Sequence, residues 1–224
     1  MEAIKQSNEK VYSNAGNPDV LGLLPAAAKF ILDIGCGDGS NARILSLRNC
    51  VVDGITISED EKRAAQKTMR QVWVHNLENG LPVQDVKIYD AVICSHVLEH
   101  ICYPEKLMND IHRVLKDGGV LIVALPNLLH YSGRWQLAKG NFNYTSAGIW
   151  DYTHFRWYTF ATAQQLFIAH NFSINIATVT GELPFNSIFK KLLPARARHF
   201  LYAGLIRMSK GFFGYQLLYR VIKK

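Results

Sequence analysis

An apolar pentad, Phe30-Ile31-Leu32-Asp33-Ile34, runs directly into Gly35-Cys36-Gly37-Asp38-Gly39. A short apolar run closed by glycines is a buried strand. Glycines at alternate positions after it make a turn whose backbone can approach a ligand closely. The chain then alternates. Ser40 to Arg48 reads as a helix and Val51 to Ile57 as a strand. Ser58 with Glu61 is a capping box opening a helix to about Met69. Val72 to His75 and Tyr89 to Cys94 are further strands. Pro104 begins a helix with Leu107, Ile111, Val114 and Leu115 on one stripe, which Lys116-Asp117-Gly118-Gly119 ends. Val120 to Leu125 is a strand stopped by Pro126, and Ala161 to about His170 is a helix. Phe172 to Thr180 and Tyr215 to Ile222 are the last strands. This order predicts an α/β fold: a doubly wound, mostly parallel seven-stranded sheet with a helical insertion between the last two strands.

The 224 residues, 49% hydrophobic and 19% charged, can bury a core, which excludes a disordered or fibrous chain. A single domain is expected: an N-terminal cap over 1–29, a core over 30–182, a basic helical insertion over 183–212 and a last strand over 213–224. No apolar run approaches the ~18 residues of a membrane span. The polar start, Met1 to Gln6, has no signal-peptide core, so a cytoplasmic protein is expected. Cys36, Cys50, Cys94 and Cys102 form no CxxC pair and read as reduced thiols. The net charge of +7 is unevenly placed: 16 basic against 18 acidic residues up to Glu182, then nine basic and none acidic. Basic residues interleaved with Ile188, Phe189, Phe200 and Leu201 suit a peripheral contact with an anionic inner-membrane face through 183–213. A lid over the active site with a basic outer side is the alternative. Nucleic acid is disfavoured, because no RNA-binding motif accompanies the charge.

The glycine spacing separates two cofactor classes. Dinucleotide enzymes use GxGxxG, whereas here Gly35, Gly37 and Gly39 are followed by Ser40. Asp33, two residues before the first glycine, would repel a pyrophosphate and suits a cationic amino group. Leu32 to Gly39 resembles motif I of class I S-adenosylmethionine-dependent methyltransferases. The Leu81-Pro82 turn, the strand Tyr89-Asp90-Ala91-Val92-Ile93 and Arg113 to Gly119 are similar to that family's later landmarks. The resemblance covers about residues 28–180. It implies a Rossmann-like methyltransferase fold, S-adenosylmethionine as cofactor, and a cofactor site of Asp33, Gly35, Cys36, Gly37, Gly39, Thr56, Ile57, Asn76, Leu77 and Ser95. Two positions depart from the family. Thr56 stands where an acidic residue grips the ribose, and Asn76 stands for the Asp near the adenine amine. Thr56 is similar to the cyclopropane-fatty-acid synthase branch. Asp53 is expected to point elsewhere.

Catalytic groups lie beyond the carboxyl ends of the strands. Ser95-His96-Val97-Leu98-Glu99-His100 and Asp151-Tyr152-Thr153-His154-Phe155-Arg156 resemble the ubiquinone-pathway O-methyltransferase group. That resemblance implies His100 and His154 as acid–base groups, with histidines that merely tie loops together as the structural alternative. Arg156 either clamps an anionic substrate or pairs with Asp151 or Glu99. His96, Glu99, His100 and His154 also resemble the metal set of small-RNA 2′-O-methyltransferases, with 96, 99 and 100 sharing a helix face. His96 replaces that family's first Glu, so no metal is expected. Phe142, Tyr144, Trp150, Tyr152, Trp157 and Tyr158 wall an acceptor pocket or form a satellite core. The expected function is methylation, mainly at oxygen, of a small molecule: quinone-like, lipid-linked or a sugar. The alternative is a non-catalytic partner protein, resembling the methionine-biosynthesis protein that accompanies homoserine acyltransferase.

Overall fold

The structure is a computed structural model that describes residues 16–181, 184 and 190–224. Ile188, Phe189 and the first half of the expected N-terminal cap lie outside the described residues. At its centre β1 (Phe30–Ile34) pairs in parallel with β2 (Val51–Thr56) on one side and β4 (Tyr89–Ser95) on the other. β3 (Gln71–Val74) extends the sheet beyond β2, and β5 (Leu115–Pro126) beyond β4. β7 (Gln216–Lys223) runs antiparallel between β5 and β6 (Phe172–Thr180). The seven-stranded order is β3-β2-β1-β4-β5-β7-β6, and the sheet is mostly parallel, as the alternation of elements predicts.

Strand periodicity explains the two core layers. Leu32 and Ile34, Val92 and Cys94, and Leu121, Val123 and Leu125 point to one face. There they meet α4 (Pro104–Val114) through Leu107 and Ile111, and α6 (Phe160–Ala169) through Ala163 and Phe167. Ile31, Ala91, Ile93, Ile122 and Ala124 point to the other face. They meet α1 (Pro18–Leu21), α2 (Ser40–Ser46) and α3 (Glu59–Ala65) through Val20, Leu45 and Ala65. Both faces are covered, so the central strands are mostly apolar.

Two elements differ from the sequence reading. Lys116 to Gly119 belongs to β5, which starts at Leu115 opposite Tyr89 and resumes at Val120 opposite Ala91. The extra residues form a bulge, permitted by Gly118 at φ 72° and held by Lys116 Nζ on Asp90 at 2.6 Å. A helix also forms at α5 (Tyr131–Ala138), capped by the His130 ring, which accepts from Ser132 N–H at 3.4 Å.

The segment between β6 and β7 contains α7 (Ala195–Met208) and α8 (Lys210–Phe213). It leaves and rejoins the sheet at the carboxyl edge of the parallel strands, where Thr180 and Pro126 both pair with Gln216. Fully buried Asn127 fastens it there, its amide donating to Gly211 O at 2.8 Å and Gly214 O at 2.7 Å. No described helix is long and apolar enough to cross a membrane.

Asp53 points away from the cofactor edge, as expected, and is a structural lock. It is fully buried and accepts from Arg70 Nε at 2.9 Å, Arg70 Nη2 at 2.6 Å and Tyr89 Oη at 2.8 Å. Removing it strands the Tyr89 hydroxyl and half of a bidentate pair. Asp53→Ala is expected to lower unfolding stability by about 2–4 kcal/mol in urea titration. A loss under about 0.5 kcal/mol would mean that the trio contributes nothing to the fold.

Candidate active site

The glycine loop crosses from β1 to α2 in left-handed backbone: φ is 73° at Gly35, 53° at Gly37 and 82° at Gly39. Only glycine adopts such a run cheaply. Packing adds a second reason. A Cβ on Gly35 would lie 2.5 Å from Val97 Cγ2, and one on Gly39 would lie 3.0 Å from Ala65 Cα. The loop is pinned to β2 because the Gly35 and Cys36 N–H groups both donate to Ile55 O, at 2.8 and 3.0 Å. Burial pushes the Cys36 thiol far above its ordinary pKa, with the charge of Asp33 adding to the rise, so it is an inert wall.

Asp33 is buried at the end of β1, and Asn41 Nδ2 donates to it at 3.1 Å. Burial raises its pKa to about 7, against the lowering effect of Asn41. Among the described residues no basic side chain pairs with it. At the end of β2, the Thr56 hydroxyl donates to Glu61 Oε2 and accepts from Ser58 N–H at 3.3 Å, with Thr56 and Glu61 both buried. The expected capping box is therefore half formed. Ser58 Oγ accepts from Glu61 N–H at 3.4 Å, but the Glu61 carboxylate turns to Thr56 and not back to Ser58. A carboxylate missing from the strand thus arrives from the helix that follows. Asn76 Oδ1 accepts from Glu78 N–H at 3.0 Å and caps the short turn Leu77–Asn79. Its amide oxygen is already engaged. Ile57 is exposed and Leu77 half-buried beside these residues. Ser95 Oγ lies 3.4 Å from Asn17 Nδ2.

The residues after β4 do not form the expected helix. His96 adopts φ 55°, and only Leu98–His100 makes a 3₁₀ turn. His96 therefore diverges from His100. Its Nδ1 lies 3.2 Å from Glu99 Oε1 and its Nε2 2.7 Å from Gln216 Oε1. Both partners are acceptors, so the contacts favour the charged ring, which donates from both nitrogens. Burial opposes that charge, but the hydrogen bond and charge of Glu99 outweigh it, and the His96 pKa is raised.

His100 and His154 turn the other way. His100 Nδ1 lies 3.1 Å from Thr153 O, and His154 Nδ1 lies 3.2 Å from Ile149 O. A carbonyl only accepts, so each Nδ1 carries the proton and each Nε2 keeps its lone pair in the neutral ring. Burial lowers the His154 pKa, with neighbouring His100 adding to the drop and Glu99 opposing it. The two rings are 4.8 Å apart. Glu99, 1% exposed, joins them: ligand atoms of Glu99, His100 and His154 lie within 4.8 Å of one another. Glu99 Oε2 is buried without a hydrogen-bond partner. These are the described residues able to hold a metal ion, and His96 is not among them. Glu99 O accepts from Phe155 and Arg156 N–H at 2.9 and 3.0 Å, which ties the two loops together. Arg156 Nε donates to Cys102 O at 2.7 Å, a backbone contact in place of the expected acidic partners. Phe142 packs edge-on against Tyr144, Trp150 and Trp157, so this part of the aromatic segment coheres as a cluster around Phe142.

Residues 32–123 match the methyltransferase domain family. The chain is 33% identical over 105 residues to the ubiquinone biosynthesis O-methyltransferase of Chromobacterium violaceum, a stretch that is 42% of each protein. The chain thus spans less than half the length of the curated relative it matches. A SAM-dependent methyltransferase from Archaeoglobus fulgidus superimposes with TM-score 0.64 at 18% identity, covering 89% of this chain and 87% of that one. An S-adenosylmethionine-dependent methyltransferase from Mesorhizobium loti superimposes with TM-score 0.61 at 19% identity, covering 96% and 100%. These likenesses carry the fold. The family match and the fold make S-adenosylmethionine the molecule to set against this edge. The edge fits that molecule: Asp33 is a buried carboxylate without a cation, and Thr56 with Glu61 offers oxygens at the end of β2.

The raised pKa of Asp33 has a definite sign in stability. Between the unfolded value near 4 and the folded value of about 7, the folded chain holds a proton that the unfolded chain has lost. The group therefore subtracts stability as pH rises through that window, by about 4 kcal/mol at most, and the loss is complete above pH 7. Asp33→Asn should gain on the parent between pH 4 and 7 in urea unfolding, then stay level. A difference independent of pH would show that Asp33 is ionised throughout.

Proposed function

We propose that this chain, which belongs to the class I S-adenosylmethionine-dependent methyltransferases, methylates an oxygen of a small acceptor that is quinone-like, lipid-linked or a sugar. The observation that carries this reading is the convergence, on one edge of the sheet, of a glycine cradle and two histidines with oriented Nε2 lone pairs. Bound there, the cofactor supplies an electrophilic methyl group on a sulfonium. Gly35, Cys36, Gly37 and Gly39 wrap its amino-acid end, and Asp33 faces the ammonium. Thr56 and Glu61 take the ribose hydroxyls, and Ile57, Asn76, Leu77 and Ser95 border the adenine and the reacting end. An acceptor hydroxyl must lose its proton as it is methylated, and Nε2 of His100 or His154 receives it. Thr153 and Ile149 position the two rings by holding their Nδ1 protons. Glu61 also weighs against the non-catalytic alternative, because the acid that Thr56 lacks stands beside it.

Calorimetric titration with S-adenosylhomocysteine should show binding, and Glu61→Gln should weaken it about tenfold or more. His100→Ala and His154→Ala should leave that binding intact. They should cut methyl transfer to a catechol acceptor such as 3,4-dihydroxybenzoate about 10²–10⁴-fold. No heat at millimolar cofactor sinks the reading.

One observation favours a second reading of the same cluster. Glu99 Oε2 has no donor, and the free Nε2 atoms belong to a set whose ligand atoms lie within 4.8 Å of one another. Lone pairs gathered without a proton between them suit a divalent cation, and the histidines' Nδ1–carbonyl bonds are the outer contacts such ligands use. A cation held there would polarise an acceptor hydroxyl. Elemental analysis of the purified chain should then find about one zinc, iron or manganese per molecule, lost in Glu99→Gln. Metal below a tenth of an equivalent after incubation with each ion returns the cluster to acid–base work alone.

A further inference from the structure

Helix α7 has an apolar surface wider than the part it packs against the protein. At 100° per residue, Tyr202, Leu205 and Ile206 fall together and are half-buried against the protein. Leu201 and Met208 extend that apolar face past its half-buried part, and Phe200 stands on the opposite arc; they are 44%, 79% and 79% exposed. Arg196 and Arg207 flank Phe200 on that arc, and both are exposed. None of the fourteen residues of the helix is buried. The patch continues onto α5 and α8. Phe212 lies 6.1 Å from Tyr131 and under the Arg134 guanidinium, and Trp135 beside them is 63% exposed.

A helix on a soluble protein has no use for large apolar side chains left this exposed together. Its chemistry follows from the charge. The chain from Leu183 onward has nine basic residues and no acidic one, while the preceding part carries a small acidic excess. A partner that accepts apolar side chains at shallow depth, and is itself a continuous sheet of negative charge, meets both requirements. We propose that the outer face of α7, with Arg196, Phe200, Leu201, Arg207 and Met208, docks on an anionic lipid bilayer. The docking is independent of the methyl-transfer reading. The two connect only through geometry: the Asn127 clamp holds this insertion on the carboxyl edge of the sheet, where Gln216 touches His96. Docking therefore sets the rim of the candidate site at the lipid surface, where an amphipathic acceptor would be delivered.

The test is co-sedimentation of the full chain with vesicles at 0.1 M salt. One set is 40% phosphatidylglycerol in phosphatidylcholine, the other phosphatidylcholine alone. Retention is expected on the anionic set only, falling as salt rises to 0.5 M. Arg196→Gln/Arg207→Gln should weaken partitioning about 25-fold, about fivefold for each charge. Phe200→Ser/Met208→Ser should weaken it at least tenfold. Both pairs are exposed, so thermal melting and S-adenosylhomocysteine binding should stay at the parent's values. Retention indifferent to lipid charge, or equal in the parent and both variants, overturns the proposal. Two other results also overturn it. One is salt-sensitive retention on RNA without vesicle binding. The other is a concentration-dependent doubling of mass, abolished by the apolar pair, in a chain that ignores vesicles.

Discussion

Pairing β1 with β2 on one side and with β4 on the other is the constraint on which the rest depends. The chain leaves β1 in one direction and returns past it to begin β4. A crevice must open where those paths diverge, at the carboxyl ends of both strands. The glycine loop, Asp33, Thr56 and Ser95 occupy that edge because the register puts the ends of β1, β2 and β4 side by side. The antiparallel β7 then brings Gln216 to the same edge from the far end of the chain.

Four of the five buried carboxylates among the described residues lie on the sheet and the turns beside it, and they are compensated to different degrees. Asp53 has a bidentate guanidinium and a phenol. Glu61 has the Thr56 hydroxyl. Glu99 has the His96 ring on one oxygen and, among the described residues, no donor on the other. Asp33 has a single amide donor. A fold gains nothing from a carboxylate buried without partners. Asp33, Glu61 and Glu99 stand at the crevice edge, and Asp53, with the most donors, stands three positions before the end of β2. Incomplete pairing of this kind marks places kept ready for a ligand.

The strands of the sheet and the glycine turn were legible because both are local. Period-two burial sets the faces of the strands, and the glycine spacing sets the turn. The acid at the end of β2 was not legible, because Glu61 satisfies the pattern of a helix cap and its sequence position gives no hint that the side chain turns to Thr56. The histidine cluster was half legible. Helical spacing groups His96 with Glu99 and His100, yet the positive φ at His96 breaks the helix and sends the ring to Gln216, a partner 120 residues away. Gly118 and Gly119 read as a helix end because glycine punctuates both helices and bulges. Only the pairing of Leu115 with Tyr89 decides between them. α5 escaped notice because residues 131–138 are not patterned as a core-facing helix, and Gly133 is the only buried residue in it.

Asn127 has one more consequence. Its side chain holds two carbonyls of the insertion, while its own backbone N–H donates to Tyr215 O at 3.0 Å. The tip of β5 and the root of the insertion therefore share one buried side chain. Neither can open alone without leaving amide or carbonyl groups dry and unpaired. The two form a single cooperative unit of local unfolding. Slow amide exchange in that unit reports on a segment whose outer helix has no buried residue, so its order rests on this asparagine together with the half-buried Tyr202, Leu205 and Ile206.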